Sequence, residues 1–167
     1  MITIRLLTVE DVEEYHRLRL EALQDSPASF NSSYEDEVQM PLTHFTAKLQ
    51  DNYVFGAYSD GDRLIGTAGL TREGRIKRAH LATLVGMHVS PAFRRQGIGG
   101  ALLDRALRCA REWGGIKAVR LSVTVTNHDA RKLYAARGFK SYGIEPGALH
   151  LHGEYLDEEY LTLQLDD

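Results

Sequence analysis

Met87-His88-Val89-Ser90-Pro91-Ala92-Phe93-Arg94-Arg95-Gln96-Gly97-Ile98-Gly99-Gly100-Ala101-Leu102 is the stretch from which the rest of the chain can be read. The apolar run from Leu81 to Val89 predicts a buried strand. Ile98, Leu102, Ala106, Cys109 and Trp113 then fall at spacings of three and four, one face of a helix that Gly114-Gly115 stops. Between strand and helix lies a loop with two arginines, and the helix begins among glycines. The first N–H groups of a helix have no partner inside it, and the aligned peptide dipoles place partial positive charge there. Glycines let an anion approach the backbone closely, so this arrangement suits a phosphate or pyrophosphate. Arg94 and Arg95 could add charge-assisted bonds. A P-loop would end in Gly-Lys-Ser or Gly-Lys-Thr, which is absent here. A dinucleotide fingerprint would need a third glycine where Leu102 stands. Seven residues also separate Val89 from Gly97, too many for the tight turn of that fold.

Outward from this centre the periods alternate. Ile2 to Leu6 has strand alternation. Thr8 can cap a helix with Val12, Tyr15, Leu18 and Ala22 on one stripe. Ser32 or Ser33 could cap a short helix through Met40, and Pro41 could begin another through Leu49. Tyr53 to Tyr58 and Arg63 to Thr71 read as strands joined by the turn Ser59-Asp60-Gly61-Asp62. Arg72 to Arg78 reads as a solvated basic loop. Strand alternation returns in Val119, Leu121, Val123 and Val125, then a helix from Ala130 to Arg137. Phe139 to Ile144 and Tyr160 to Leu165 read as two last strands. This mixed order predicts an α/β domain (α+β by some schemes) with one central sheet. No linker or repeat divides residues 1–167, so a single domain is expected.

Composition excludes several classes. Hydrophobic residues are 43% and charged residues 26%, near the globular average, so disorder is not the main state. The formal net charge of −3 argues against a general nucleic-acid binder, which carries a basic excess. No apolar run is long enough to span a membrane and the N-terminus does not read as a signal peptide, so a cytoplasmic protein is expected. The single cysteine, Cys109, rules out an internal disulfide and reads as core packing.

Two segments together resemble the GNAT superfamily of N-acetyltransferases. Arg94-Arg95-Gln96-Gly97-Ile98-Gly99 fills that family's acetyl-CoA motif, Arg/Gln-x-x-Gly-x-Gly/Ala, with Val89-Ser90-Pro91 at the usual place before it. Asn127-His128-Asp129-Ala130-Arg131-Lys132-Leu133-Tyr134-Ala135-Ala136-Arg137-Gly138-Phe139 fills its Asn-x-x-Ala-x-x-Leu-Tyr-x-x-x-Gly-Phe signature. The resemblance implies a mixed, mostly antiparallel sheet flanked by about four helices and splayed between its fourth and fifth strands, where acetyl-CoA enters. It implies transfer of an acetyl group to a primary amine of a small molecule or peptide by direct attack, and a possible homodimer. It implies that the Val89 N–H meets the charge developing on the carbonyl oxygen, and that Met87 and Val89 pair with pantetheine as an added strand would. The N–H groups of Arg95, Gln96, Gly97, Ile98, Gly99 and Gly100 would hold the pyrophosphate with help from Arg94, and Asn127 would bond the pantetheine arm. Tyr134 would protonate the departing thiolate. From spacing alone, Tyr134 reads as a core residue beside Ala130 and Leu133, and it is the surrounding signature that turns the reading to a catalytic one.

The acceptor side is less defined. The glutamate that many relatives carry on the fourth strand would fall at Thr83, which cannot act as a base. A water route is then expected, with Glu35, Glu37 and Glu154 as candidate carboxylates that otherwise read as solvated charges. Phe30, Tyr34, Glu35, Glu37 and Tyr155, with Tyr142, are candidate acceptor contacts. All but Tyr142 lie in the segments 26–50 and 144–159, where the resemblance places the acceptor pocket. Glu35-Asp36-Glu37 and Asp157-Glu158-Glu159 suggest a negative pocket for a protonated amine. His88, opposite Met87 and Val89 in strand alternation, reads as packed behind the site. His150 and His152 lack further ligands, so no metal is expected. A non-catalytic acetyl-CoA-binding sensor would keep the glycine loop but need no general acid, and is the alternative reading.

Overall fold

The computed structural model describes residues 1–166. Seven strands form one sheet: β1 Thr3–Leu6, β2 Tyr53–Ser59, β3 Arg63–Arg72, β4 Leu81–Val89, β5 Ala118–Thr124, β6 Lys140–Leu151 and β7 Glu154–Gln164. Five α-helices connect them: α1 Val12–Asp25, α2 Tyr34–Glu37, α3 Leu42–Asp51, α4 Ile98–Glu112 and α5 His128–Ala136. The strand order is β1-β2-β3-β4-β5-β7-β6, antiparallel except for the β4–β5 pair. This is the mixed, mostly antiparallel architecture expected. The expected four flanking helices are present, with one-turn α2 as a fifth.

The local reasons are chemical. Thr8 accepts from the Glu10 N–H, and Asp11 returns a bond to the Thr8 N–H at 2.8 Å, so the entry to α1 is capped on both sides. The same Asp11 carboxylate takes two bonds from Arg5, at 2.9 and 2.8 Å, and one from the Tyr58 hydroxyl at 2.8 Å. These bonds, Arg5 foremost, hold its carboxyl down to about 2. Ser33 caps α2 in the same way with Asp36, and Pro41 opens α3.

Alternation along the central strands divides the core between two faces. Phe55 and Ile65 face α4 and pack with Leu102, Leu103 and Ala106. Val54 and Leu64 face the other way, onto Leu18, Phe45 and Leu49 of α1 and α3. The glycine turn before α4 is thereby fixed beside the ends of β3 and β4.

The C-terminal strands depart from expectation. Residues 144–159 do not form a loop. β6 and β7 run past them as a long hairpin closed by His152 and Gly153, both at positive φ (50° and 78°). β6 is an edge strand and takes up Pro146-Gly147 as a bulge. There the Gly147 N–H donates to Asp157 at 2.8 Å.

Candidate active site

β4 and β5 pair only from Leu81–Ala118 to Thr83–Arg120 and then part, leaving a gap along Leu84 to Val89. A bulge re-aims β4 at this point. Gly86 sits at φ 61°, the register against β3 slips between Thr67 and Gly69, and the Thr67 hydroxyl donates to the Gly86 carbonyl at 2.8 Å. Beyond the bulge the Ser90 N–H donates to the Ile65 carbonyl at 2.8 Å while Val89 stands opposite Gly66. Val89 is therefore in a non-hydrogen-bonded pair, and its own N–H and C=O point away from β3 into the gap. Strand alternation directs Met87 the same way.

The glycine turn lies at the mouth of the gap. Arg95 (φ 63°) and Gly97 (φ 78°) are both left-handed, a sequence of conformations that turns successive N–H groups towards one point. The Ala101 N–H makes a bond to the Gly97 carbonyl at 3.0 Å. The N–H groups of Ile98, Gly99 and Gly100, one turn earlier, thus have no carbonyl within the helix. Arg95 and Gln96 are exposed. The Arg94 side chain is engaged within the protein. It donates to Asp25 at 2.7 Å, to the Ser26 hydroxyl at 3.3 Å and to the Val89 carbonyl at 2.8 Å, fastening the loop to the end of α1. Gly100 leaves room for Arg137, whose guanidinium would stand 2.5 Å from a Cβ there and bonds Asp104 at 2.9 Å.

Behind the gap is a cavity of about 460 Å³ walled by both faces of the parted sheet. Met87, Ala130, Leu133 and Tyr134 line one side. Tyr15, Leu18, Arg19, Phe30, Lys48 and His88 line the other. Tyr134 is buried and its ring meets Phe139 edge-on at 5.7 Å. Its hydroxyl has no hydrogen-bond partner among the described residues, and burial pushes its pKa up to about 12. Asn127 caps α5 by accepting from the Ala130 N–H at 3.3 Å, and its amide reaches the Ser29 hydroxyl at 3.4 Å.

Several acceptor-side expectations need correction. His88 is not behind the site: because the sheet is open here, its face becomes a cavity wall, with the ring 6.2 Å from Phe30. Burial, aided by the Arg94 charge, pushes His88 down to about 4, so it is neutral at pH 7. Glu37 is not a solvated charge. It is 3% exposed and bound by both arms of Arg19, at 2.9 and 2.7 Å. Burial would raise its pKa, but Arg19 and then Ser32 outweigh that and hold it at about 2. A carboxylate so held is a poor proton acceptor. Tyr34 lines a separate surface hollow with His16 and Glu21, and Glu35 is exposed outside the cavity. Tyr155, 71% exposed, stacks on His150 at 4.4 Å near the hairpin tip, next to Glu154. Tyr142 packs on Tyr160. Thr83 is enclosed between Thr71 and Arg120 in the last paired step of the sheet. Of the two acidic runs, only Glu158 reaches the cavity, since Glu159 bonds Arg131 and Asp157 the Gly147 N–H.

Sequence reasoning passed over Arg19, Lys48 and the β4 bulge. A glycine inside a strand pattern, Gly86, was the available signal for the bulge. Nothing local marks Arg19 and Lys48, which reach the cavity from different helices. Among the described residues no group of three His, Cys, Asp or Glu side chains could hold a metal, and no helix is long and apolar enough to cross a membrane.

A profile described as the acetyltransferase (GNAT) family matches residues 14–139. An L-amino acid N-acetyltransferase of Escherichia coli is 28% identical over 103 residues, and the match spans 62% of this chain and 62% of that one, less than two thirds of the relative. The crystal structure of a GNAT-family acetyltransferase from Streptococcus pneumoniae superimposes with a TM-score of 0.88 at 19% identity, covering 99% of this chain and 100% of the other. A phosphinothricin acetyltransferase from Sinorhizobium meliloti, solved with AcCoA, gives 0.84 at 20% identity over 98% and 88%.

Proposed function

Because the chain belongs to the acetyltransferase (GNAT) family, we propose that it is an N-acetyltransferase that moves an acetyl group from acetyl-CoA to a primary amine of a small molecule or peptide. One observation carries the reading: the inner edge of β4 is left unpaired where β5 departs, and it leads to a helix start whose amides have no internal partner. These are the two things an extended pantetheine arm and its pyrophosphate require, a strand edge and an anion site. The residues present fit acetyl-CoA on that test.

Acetyl-CoA supplies an activated thioester carbonyl to be attacked by the amine. Within the chain, the N–H groups of Arg95 to Gly100 hold the pyrophosphate, and Arg94 acts by fixing the loop. The N–H groups of Met87 and Val89 face the gap and donate to the pantetheine arm and to the carbonyl oxygen as negative charge builds on it. Asn127 orders the start of α5 and stands beside the arm. Tyr134 keeps its proton throughout the physiological range and donates it to the departing sulfur. No carboxylate stands at Thr83. The amine therefore loses its proton to water in the cavity, with neutral His88 as a hydrogen-bond acceptor on the wall.

The sensor reading is disfavoured by Tyr134, since a binding module has no need of a cavity-lining hydroxyl without an internal partner. The proposal includes a cytoplasmic protein without nucleic-acid partners and able to form a homodimer, which sedimentation would test. The decisive experiment is a panel of amines with acetyl-CoA, read by release of free thiol. Amine-dependent release supports the enzyme. Tight CoA binding with no release from any amine favours the sensor.

A further inference from the structure

Two charges on the cavity wall lack a full internal counterpart. Glu158 is 6% exposed and stands on β7 opposite Thr124, where β5 has already parted from β4. Among the described residues no Lys, Arg or His pairs with it. Its bonding partner is the Asn31 amide, at 3.1 and 3.3 Å with the nitrogen assigned toward the carboxylate. Its cross-strand neighbour is another carboxylate, Glu145. The two most comparable buried carboxylates each hold a guanidinium: Asp11 has Arg5 and Glu37 has Arg19. A buried anion without a cation is costly unless a ligand provides one.

The opposite imbalance lies across the cavity. Arg19 takes both oxygens of Glu37, and the Lys48 ammonium stands 3.9 Å from the same carboxylate. Two cations share one anion, so this end carries one surplus positive charge, and Lys48 lines the cavity. Between the two ends the wall is largely apolar, with Leu18, Val54 and Phe30.

Resting on the acetyltransferase reading, we infer that the acceptor is a small zwitterion whose ammonium group pairs with Glu158 and whose anionic group, a carboxylate or its equivalent, pairs with Lys48. Glu158 draws the amine to the open end of β5, beside the gap where the thioester carbonyl is held. Lys48 selects for the second charge. An amine without an anionic group leaves Lys48 uncompensated in a partly buried site. A diamine brings a second positive charge to it.

The test is a matched set, amino acids of increasing chain length between amine and carboxylate starting from an α-amino acid, their primary amides, the corresponding alkylamines and diamines of similar length, compared by thiol release at saturating acetyl-CoA. The best amino acid of the set is expected to exceed its amide in kcat/KM by about tenfold or more, the scale of one partly buried charge pair. In Lys48→Met that ratio should fall to near one. Glu158→Gln should raise the acceptor KM by about tenfold with the acetyl-CoA KM preserved. Because it removes an unpaired buried charge, it should melt no lower than the parent. A wild-type preference for the amide or diamine would overturn the inference, as would a Lys48→Met loss equal for amino acid and amide. So would a lowered melting temperature in Glu158→Gln, which would mean the carboxylate serves the fold. If no amine releases thiol, the acetyltransferase reading fails by itself. Calorimetric titration of the amino acids and their amides into the CoA-saturated protein then still decides the charge pattern, with equal affinities counting against it.

Discussion

Replacing Tyr134 by Phe removes one hydroxyl and leaves the ring where it is, edge-on to Phe139 at 5.7 Å and inside the core. The hydroxyl has no internal partner, so folding should not suffer, and the melting temperature should stay within a degree or two or rise slightly. Chemistry should suffer. The phenol, at about 12 in its buried setting, is fully protonated at pH 7. A thiol has a pKa near 8.5, so a complete proton transfer to a free thiolate would run uphill by roughly 3.5 units, or about 5 kcal/mol. Tyr134 can therefore help only as a donor already aimed at the sulfur while the bond is breaking. General acids so placed contribute about 10²- to 10⁴-fold, and the unfavourable pKa match puts the expectation near about 10²-fold in kcat. The acetyl-CoA KM should change little, because the loss falls on the transition state. The parent should show no alkaline loss from this group below about pH 10, since its titration lies well above that. Steady-state thiol release as a function of acetyl-CoA, with a melting curve for both proteins, measures all three quantities. A Phe variant with parental turnover would refute the acid assignment, and Tyr134 would then be a packing residue.

Other expectations follow from the same geometry. Gly97→Ala would place a Cβ in open space at φ 78°, so its cost is the left-handed backbone alone, about 1–2 kcal/mol; the acetyl-CoA KM should rise as the amides turn away. If Arg94 serves by bonding Asp25, then Asp25→Asn should raise the acetyl-CoA KM in the same direction as Arg94→Ala; an effect confined to Arg94 would assign it to the phosphates instead. Leu102→Ala opens a hole in a fully buried position, and urea unfolding should report a loss of about 3 kcal/mol. The carboxyls of Asp11 and Glu37 lie below their ordinary values, both at about 2. Their contribution is therefore complete above about pH 4.5 and is lost as pH falls towards 2, so the melting temperature should drop across that window; Glu37→Gln should flatten part of the drop.

Much of the fold was legible in local patterns. Helix and strand periods, the caps at Thr8 and Ser33, and the turn at Gly61 each act over a few residues, and each left its mark in sequence. The C-terminal hairpin was read too short, as Phe139 to Ile144 and Tyr160 to Leu165, and the Pro146-Gly147 dipeptide inside it breaks a strand in most settings. It is tolerated here because β6 is at the sheet edge, which is a property of topology. His88 was misassigned for a related reason. Alternation correctly placed it on the face opposite Met87, but that face lines a cavity only because the sheet has opened.

The two motifs determined by themselves that a helix beginning among glycines follows a strand and that Tyr134 lies on a later helix. Glycine placement and helical spacing are local and do not depend on what packs nearby. Only the tertiary structure decided which charges are compensated. Glu37 and Glu158 look alike in sequence, yet one meets Arg19 from another helix and the other meets only an amide. Burial and pairing are set by contacts between residues distant in the chain, and no local pattern encodes them.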